Sequence, residues 1–271
     1  AVAAGPAPDN AQGALRLDGR GMLATPGLVN CHHHMFQHLT RCYAQQSNLF
    51  EWLVTLYPTW AQIDDDMQQA ASRAAMSSLL ASGCSLATDH HYLHPHEAGD
   101  MLAIEIDAAR TLGMRFHPCR GSMDLGVSQG GLPPDEVVED RDTIMQATAE
   151  AVDRWHDAAA DSMVRIAIAP CSPFSVTREL MVEAAEFARS RGVRLHTHLA
   201  ETIEEEHYCI EQFGCRPVDY VADLGWLGDD VWLAHCIHLS DDEIRRFGAT
   251  RTGVAHCPSS NARLGAGIAP V

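Results

Sequence analysis

Short apolar runs alternate along this chain with longer segments whose apolar residues recur at helical spacing, and that alternation restricts the fold more than any other feature. The runs fall at 23–33, 85–92, 115–121, 165–172, 194–200, 231–237 and 253–260. Helix-period stretches occupy 65–82, 97–112, 135–157, 178–191, 204–223 and 240–248. Gly83, Gly113 and Gly192 stand where helices should end, and Ser240-Asp241-Asp242-Glu243 opens one with acids that the helix dipole favours. Strand, helix and strand repeated in this way predict parallel strands joined by right-handed crossovers. Seven strands at this spacing fit an α/β fold of the (β/α)8 TIM-barrel type better than an open sheet. Closure is one strand short, because the sequence runs out at Gly265–Val271, where the seventh helix should begin. The expectation is an incomplete barrel over 23–271 without strand eight, excerpted from a longer protein. Residues 1–22, rich in Ala and Pro and running into a lead-in strand near 14–22, are too few for a domain of their own.

Composition narrows the partners. Asp and Glu total 36 against 19 Lys and Arg, a formal charge of -17. Such a surface repels phosphate backbones and anionic lipid, so nucleic-acid polymers and membranes are excluded as expected partners. No apolar run reaches the ~18 residues of a spanning helix, and no charged-then-apolar leader opens the chain. The nine cysteines contain no C-x-x-C pair, which predicts reduced thiols and a cytoplasmic setting rather than a disulfide scaffold. Histidine is abundant at 16 residues, and its placement carries the chemistry.

The run N-C-H-H-H closes the first strand. Side chains alternate along a strand, so His32 and His34 share a face and His33 takes the other. At the C-terminal end of a barrel strand that face is the mouth, where active sites sit. The fifth strand adds His198 near its end, with Glu201 just beyond, and the sixth adds His235. Three strands thereby bring imidazoles to one rim, which predicts a mononuclear divalent metal site, zinc or ferrous iron. Metal-bound water can have a pKa near ~7. A carboxylate that is not a ligand, Glu201, can then carry a proton from water to substrate. His235 can orient the nucleophile or the forming oxyanion. Asp89 is a weak candidate for a carboxylate ligand.

Further residues are candidates for substrate contact. Gln37 could read a heterocycle edge through its amide. Trp52, Tyr57 and Trp60 lie in the long first βα loop, where an aromatic face could stack a planar base, and Trp52 is preferred. Arg120 ends the third strand, where it could meet a carbonyl oxygen or serve in an ion pair. His256 is expected to support the metal site from outside the ligand shell. The G-x-S-x-G pattern at 126–130 lacks the strand-turn-helix context of a serine nucleophile and is set aside.

These residues resemble the amidohydrolase superfamily. The matching elements are P-G-L-V-N-C-H-H-H at 26–34, H-L-A-E-T at 198–202, A-H-C at 234–236 and G-V-A-H-C-P-S-S-N at 253–261, in the family's order. The resemblance implies a metal held by His32, His34 and His198, with Glu201 as proton shuttle and His235 as a second catalytic group. It also implies a fourth ligand, an Asp at the end of strand eight, and a small β-sandwich of which 1–22 would be a remnant. Within the superfamily the sequence is similar to deaminases of nucleobases, pterins and s-triazines. Among them it most resembles those acting on 8-oxoguanine, through segments 31–41, 120–135 and 169–176. Cys171 stands where adenosine-type relatives carry a His, which argues against a ribose-bearing substrate. The implied reaction is hydrolytic deamination of 8-oxoguanine to urate and ammonia, with isoxanthopterin, guanine, isocytosine or an s-triazine as alternatives. Pairing of identical barrels into a homo-oligomer is a habit of the family. A His-rich metal-binding protein without catalysis, or an inert fragment, is the reading from another class.

Overall fold

The computed structural model describes residues 17–270. Seven parallel strands pair in chain order into one curled sheet, an incomplete barrel. They are β1 (Leu28–Asn30), β2 (Cys84–His91), β3 (Arg115–Ser122), β4 (Ala167–Pro170), β5 (Arg194–Leu199), β6 (Val231–His235) and β7 (Gly253–Ala255). β1 and β7 form its two edges. Leu28 and Val29 are each 62% exposed along the first of them, whereas every residue of β4, in mid-sheet, is buried. Burial of both faces is what a parallel sheet sandwiched by helices requires. Small side chains fill the interior, where Cys119, Ala167 and Ala169 pack against Trp232.

The helices are α1 (Leu49–Trp60), α2 (Asp65–Ala81), α3 (Met101–Leu112), α4 (Arg141–Trp155), α5 (Arg178–Arg191), α6 (Ile203–Phe213), α7 (Pro217–Asp223), α8 (Asp241–Thr250) and α9 (Pro258–Arg263). On α5, Leu180, Ala184 and Ala188 recur every four residues, one apolar stripe that buries in the main core with Ile168 and Leu195 of the sheet. Helix starts follow their caps. The side chains of Asp64, Asp100, Asp140 and Thr177 each accept the backbone N–H three residues on, and Ser240 with Glu243 forms a full capping box. Gly113 and Gly192 end α3 and α5 in the left-handed region, where a Cβ is penalised. At Gly121 a Cβ would collide with the His91 carbonyl, so this glycine lets β3 lie close against β2.

Several boundaries differ from the sequence expectation. The helix expected over 204–223 is two helices, because Gly214 terminates α6 at φ 72° and Pro217 begins α7. The seventh strand stops at Ala255 instead of reaching 260, since Pro258 occupies the first turn of α9. α1 was hidden in the supposed first loop, although Asn48 and Glu51 form a capping box at its start. Residues 17–22 are exposed and form a turn at Arg20-Gly21, and the rest of the expected sandwich remnant lies outside the described residues. Among the described residues no helix is long and apolar enough to cross a membrane.

Candidate metal and active site

His34 Nε2 and His198 Nε2 face each other at 3.0 Å. The opposite nitrogen of each ring meets a backbone carbonyl, His90 O for His34 and Cys171 O for His198, both at 2.7 Å. A carbonyl oxygen only accepts, so each Nδ1 carries the proton and each Nε2 a lone pair. Two lone pairs aimed at one another repel unless a cation lies between them. His32 follows the same logic through one more ring. His196 Nδ1–H donates to Trp232 O at 2.7 Å, so His196 Nε2 accepts, and His32 Nδ1–H donates to it at 2.7 Å. His32 Nε2 is then a buried lone pair without a partner among the described residues. His90, on β2, donates Nε2–H to Ala169 O at 2.8 Å and leaves Nδ1 equally bare.

Donor nitrogens of His32, His34, His90 and His198 all lie within 4.8 Å of one another. Burial, followed by repulsion from neighbouring imidazoles, pushes His32, His34 and His198 far below the ordinary histidine range. Neutral imidazoles with outward nitrogens bonded to carbonyls are the donors a divalent metal takes. The residues present therefore fit such an ion. His33 points away from the cluster, stacked on His38 at 5.7 Å. Asp89 is not in the cluster. Its carboxylate accepts Met35 N–H at 2.6 Å and groups with His91 and Glu105, which corrects the expectation that it could be a ligand.

Glu201 stands two residues past β5 on a turn held from α6. Glu205 accepts the N–H groups of Ala200 and Glu201 at 2.8 and 2.9 Å, one on each carboxylate oxygen. Burial pushes the Glu201 carboxyl up to about 8. His235 closes β6 with φ 71°, and its Nδ1 lies 3.4 Å from Glu201 Oε1 and 2.8 Å from Asn261 Oδ1. A buried carboxyl whose proton affinity is raised toward the neutral range, beside an imidazole and a lone-pair cluster, can pass protons to and from a molecule at the cluster.

A cavity of about 700 Å³ opens onto these groups and is lined by His32, His34, His198, Glu201 and His235. Gln37, Trp52 and Tyr57 also line it, as does Tyr92. Trp52 packs edge-on against Trp60 at 5.0 Å. Trp60 is fully buried with Nε1–H on Thr40 Oγ1 at 3.0 Å, so it anchors the loop behind the cavity.

Two expectations are corrected. Arg120 is buried and does not line the cavity; its Nη2 donates to both carboxylate oxygens of Glu139 at 2.8 and 3.1 Å, and its Nη1 donates to Gly121 O. Its guanidinium is committed to a structural ion pair. Arg120→Leu is expected to destabilise the chain by about 2–4 kcal/mol in chemical denaturation, because Glu139, mostly shielded from solvent, is left unpaired, with metal affinity unchanged. His256, proposed as support for the metal site, is exposed at the cavity rim. Ala255 is buried at the end of β7, so alternation turns His256 outward and Cys257 inward, and Cys257 shares a cluster with His32 and His235. Sequence reasoning missed the bare nitrogen of His90 and the contact from Asn261. The His90 lone pair had no visible signal, while Asn261 ended a motif already noted.

Fold and rim together define a (β/α)-barrel protein with a histidine centre at the C-terminal end of its strands, the face where such barrels carry their active sites. Residues 23–271 match the amidohydrolase family, and the chain belongs to it. It is 48% identical to the 8-oxoguanine deaminase of Pseudomonas aeruginosa over 259 residues, which is 95% of this chain and 58% of that protein. Identity to the hydroxydechloroatrazine ethylaminohydrolase of Pseudomonas sp. strain ADP is 38%, covering 96% of this chain and 55% of that one. Among solved structures, the atrazine chlorohydrolase of Arthrobacter aurescens TC1 complexed with zinc superposes with a TM-score of 0.84 at 32% identity, covering 90% of this chain and 56% of that one. The chain thus spans little more than half the length of these relatives.

Proposed function

We propose that this chain provides the greater part of the catalytic barrel of a zinc-dependent deaminase, with 8-oxoguanine as substrate and urate and ammonia as products. The observation that carries the reading is the set of converging imidazole lone pairs beside a buried Glu201. The relative that is 48% identical points to the substrate. His32, His34 and His198 would hold the metal, with zinc favoured by the zinc complex of a similar barrel and ferrous iron as the alternative. When bound, zinc supplies a Lewis acid that makes water nucleophilic near neutral pH.

The chain's own groups do the rest. Glu201 takes the proton that water loses as its oxygen bonds to the amine-bearing carbon, and delivers it to the adjacent ring nitrogen. The proton of the newly attached hydroxyl then passes to the departing amine as the carbonyl forms and the C–N bond breaks, so one water is consumed and one ammonia released. His235 Nε2, left bare by the hydrogen bond at Nδ1, accepts from the incoming water and orients it. Trp52 offers a face for a planar ring and Gln37 an amide for its edge. Nine free cysteines support a reducing, cytoplasmic setting.

Ammonia release by the zinc-loaded chain tests the proposal across 8-oxoguanine, isoxanthopterin, guanine, isocytosine and an s-triazine. The highest kcat/KM is expected for 8-oxoguanine. Turnover confined to triazines would overturn the purine assignment, and metal binding with no ammonia from any of them would favour a non-catalytic metal protein.

A further inference from the structure

Asn261 is the buried residue of α9, and its side chain reaches back to the end of β6. Its Oδ1 lies 2.8 Å from His235 Nδ1, and Glu201 Oε1 lies 3.4 Å from the same atom. Two acceptors therefore compete for a single N–H, and the amide holds the shorter contact. With the Nδ1 proton committed, His235 keeps Nε2 as a lone pair, and the residue shares a cluster with His32 and Cys257. The backbone departs from strand geometry here, with His235 and Cys236 both in the left-handed region at φ 71° and 49°. From α6, Glu205 is occupied by two backbone N–H groups and offers no rival contact.

We propose that Asn261 is a positioning residue: it holds the His235 ring on its own amide and so keeps His235 from closing on Glu201. The consequence for turnover rests on the deaminase reading, whereas the geometric claim does not. A neutral amide suits the task because it accepts the Nδ1 proton without adding charge next to a carboxyl that must gain and lose one. Without it, the 3.4 Å gap can contract into a charge-assisted bond that ties up Glu201 and rotates the Nε2 lone pair off its line.

The test is a crystal structure of the zinc-loaded Asn261→Leu chain, with kinetics on the same material. The His235 Nδ1 to Glu201 Oε1 separation is expected to shorten to about 2.8 Å. kcat should fall about 10–100-fold, the usual cost of losing an orienting partner in a metal site, with KM little changed. Asn261→Asp, which keeps an acceptor in place, should restore the wider separation, and Asn261→Ala gives the same reading as leucine should that variant not fold. A His235 to Glu201 separation that stays at 3.4 Å in the variant overturns the proposal. The crystallographic arm needs no substrate, so a chain without deaminase activity would count against the proposed function and leave this inference standing or falling on the distance.

Discussion

Glu201→Gln is expected to cut ammonia release by about 10²–10⁴-fold, the range for removing a positioned proton carrier, while the zinc content of the protein stays at the level of the unmodified chain. Glutamine matches the shape of glutamate and can still meet His235, so packing is preserved. What disappears is a group that exchanges protons. Burial makes that group effective, since it pushes the carboxyl up to about 8 and lets it both hold and release a proton near neutrality. Steady-state ammonia assays and metal analysis of the same preparation measure the two halves of the prediction. Retained turnover would move the proton carrier elsewhere, and loss of zinc would make Glu201 a ligand.

His198→Ala should weaken zinc binding by more than the roughly 10–100-fold that follows loss of an outer partner, because it removes a donor atom itself. His198 Nε2 is one of two nitrogens facing each other at 3.0 Å, and its orientation is fixed by a carbonyl of the neighbouring strand end. Competition against a chromophoric chelator gives the affinity. Thermal unfolding gives an independent check, since a ligand present at 1,000 times its Kd adds about 4.1 kcal/mol to the stability of the folded form. Zinc should therefore raise the unfolding midpoint of the unmodified chain far more than that of the variant. The same substitution at His256, exposed at the rim, should leave both measurements unchanged.

Legibility of the sequence depended on the range of the interaction that decided each feature. Alternation of strand and helix periods is local, and it located seven strands and the ends of α2, α3 and α5 within a few residues. The strand ends carrying His32, His34, His198 and His235 were legible for the same reason, since position near a barrel strand's C-terminus predicts a shared rim. Distant partners were not legible. Nothing near Arg120 announces that Glu139, on the far side of a Gly-rich loop, neutralises it. His256 and Cys257 could be told apart only by knowing which residue ends β7, and that depended on where Pro258 starts a helix. The break between α6 and α7 falls at Gly214 and Pro217, residues that end and begin helices, inside a stretch whose apolar period reads as one helix.

The Glu205 clamp ties the Glu201 carboxyl to a helix. Both backbone amides of the Ala200-Glu201 turn end on one side chain in the first turn of α6, so a tilt or slide of that helix would be transmitted to Glu201 through a rigid linkage instead of being absorbed by a slack loop. Substitutions on the outer face of α6, remote from any bound molecule, thus become a handle for tuning turnover without altering the shape of the cavity.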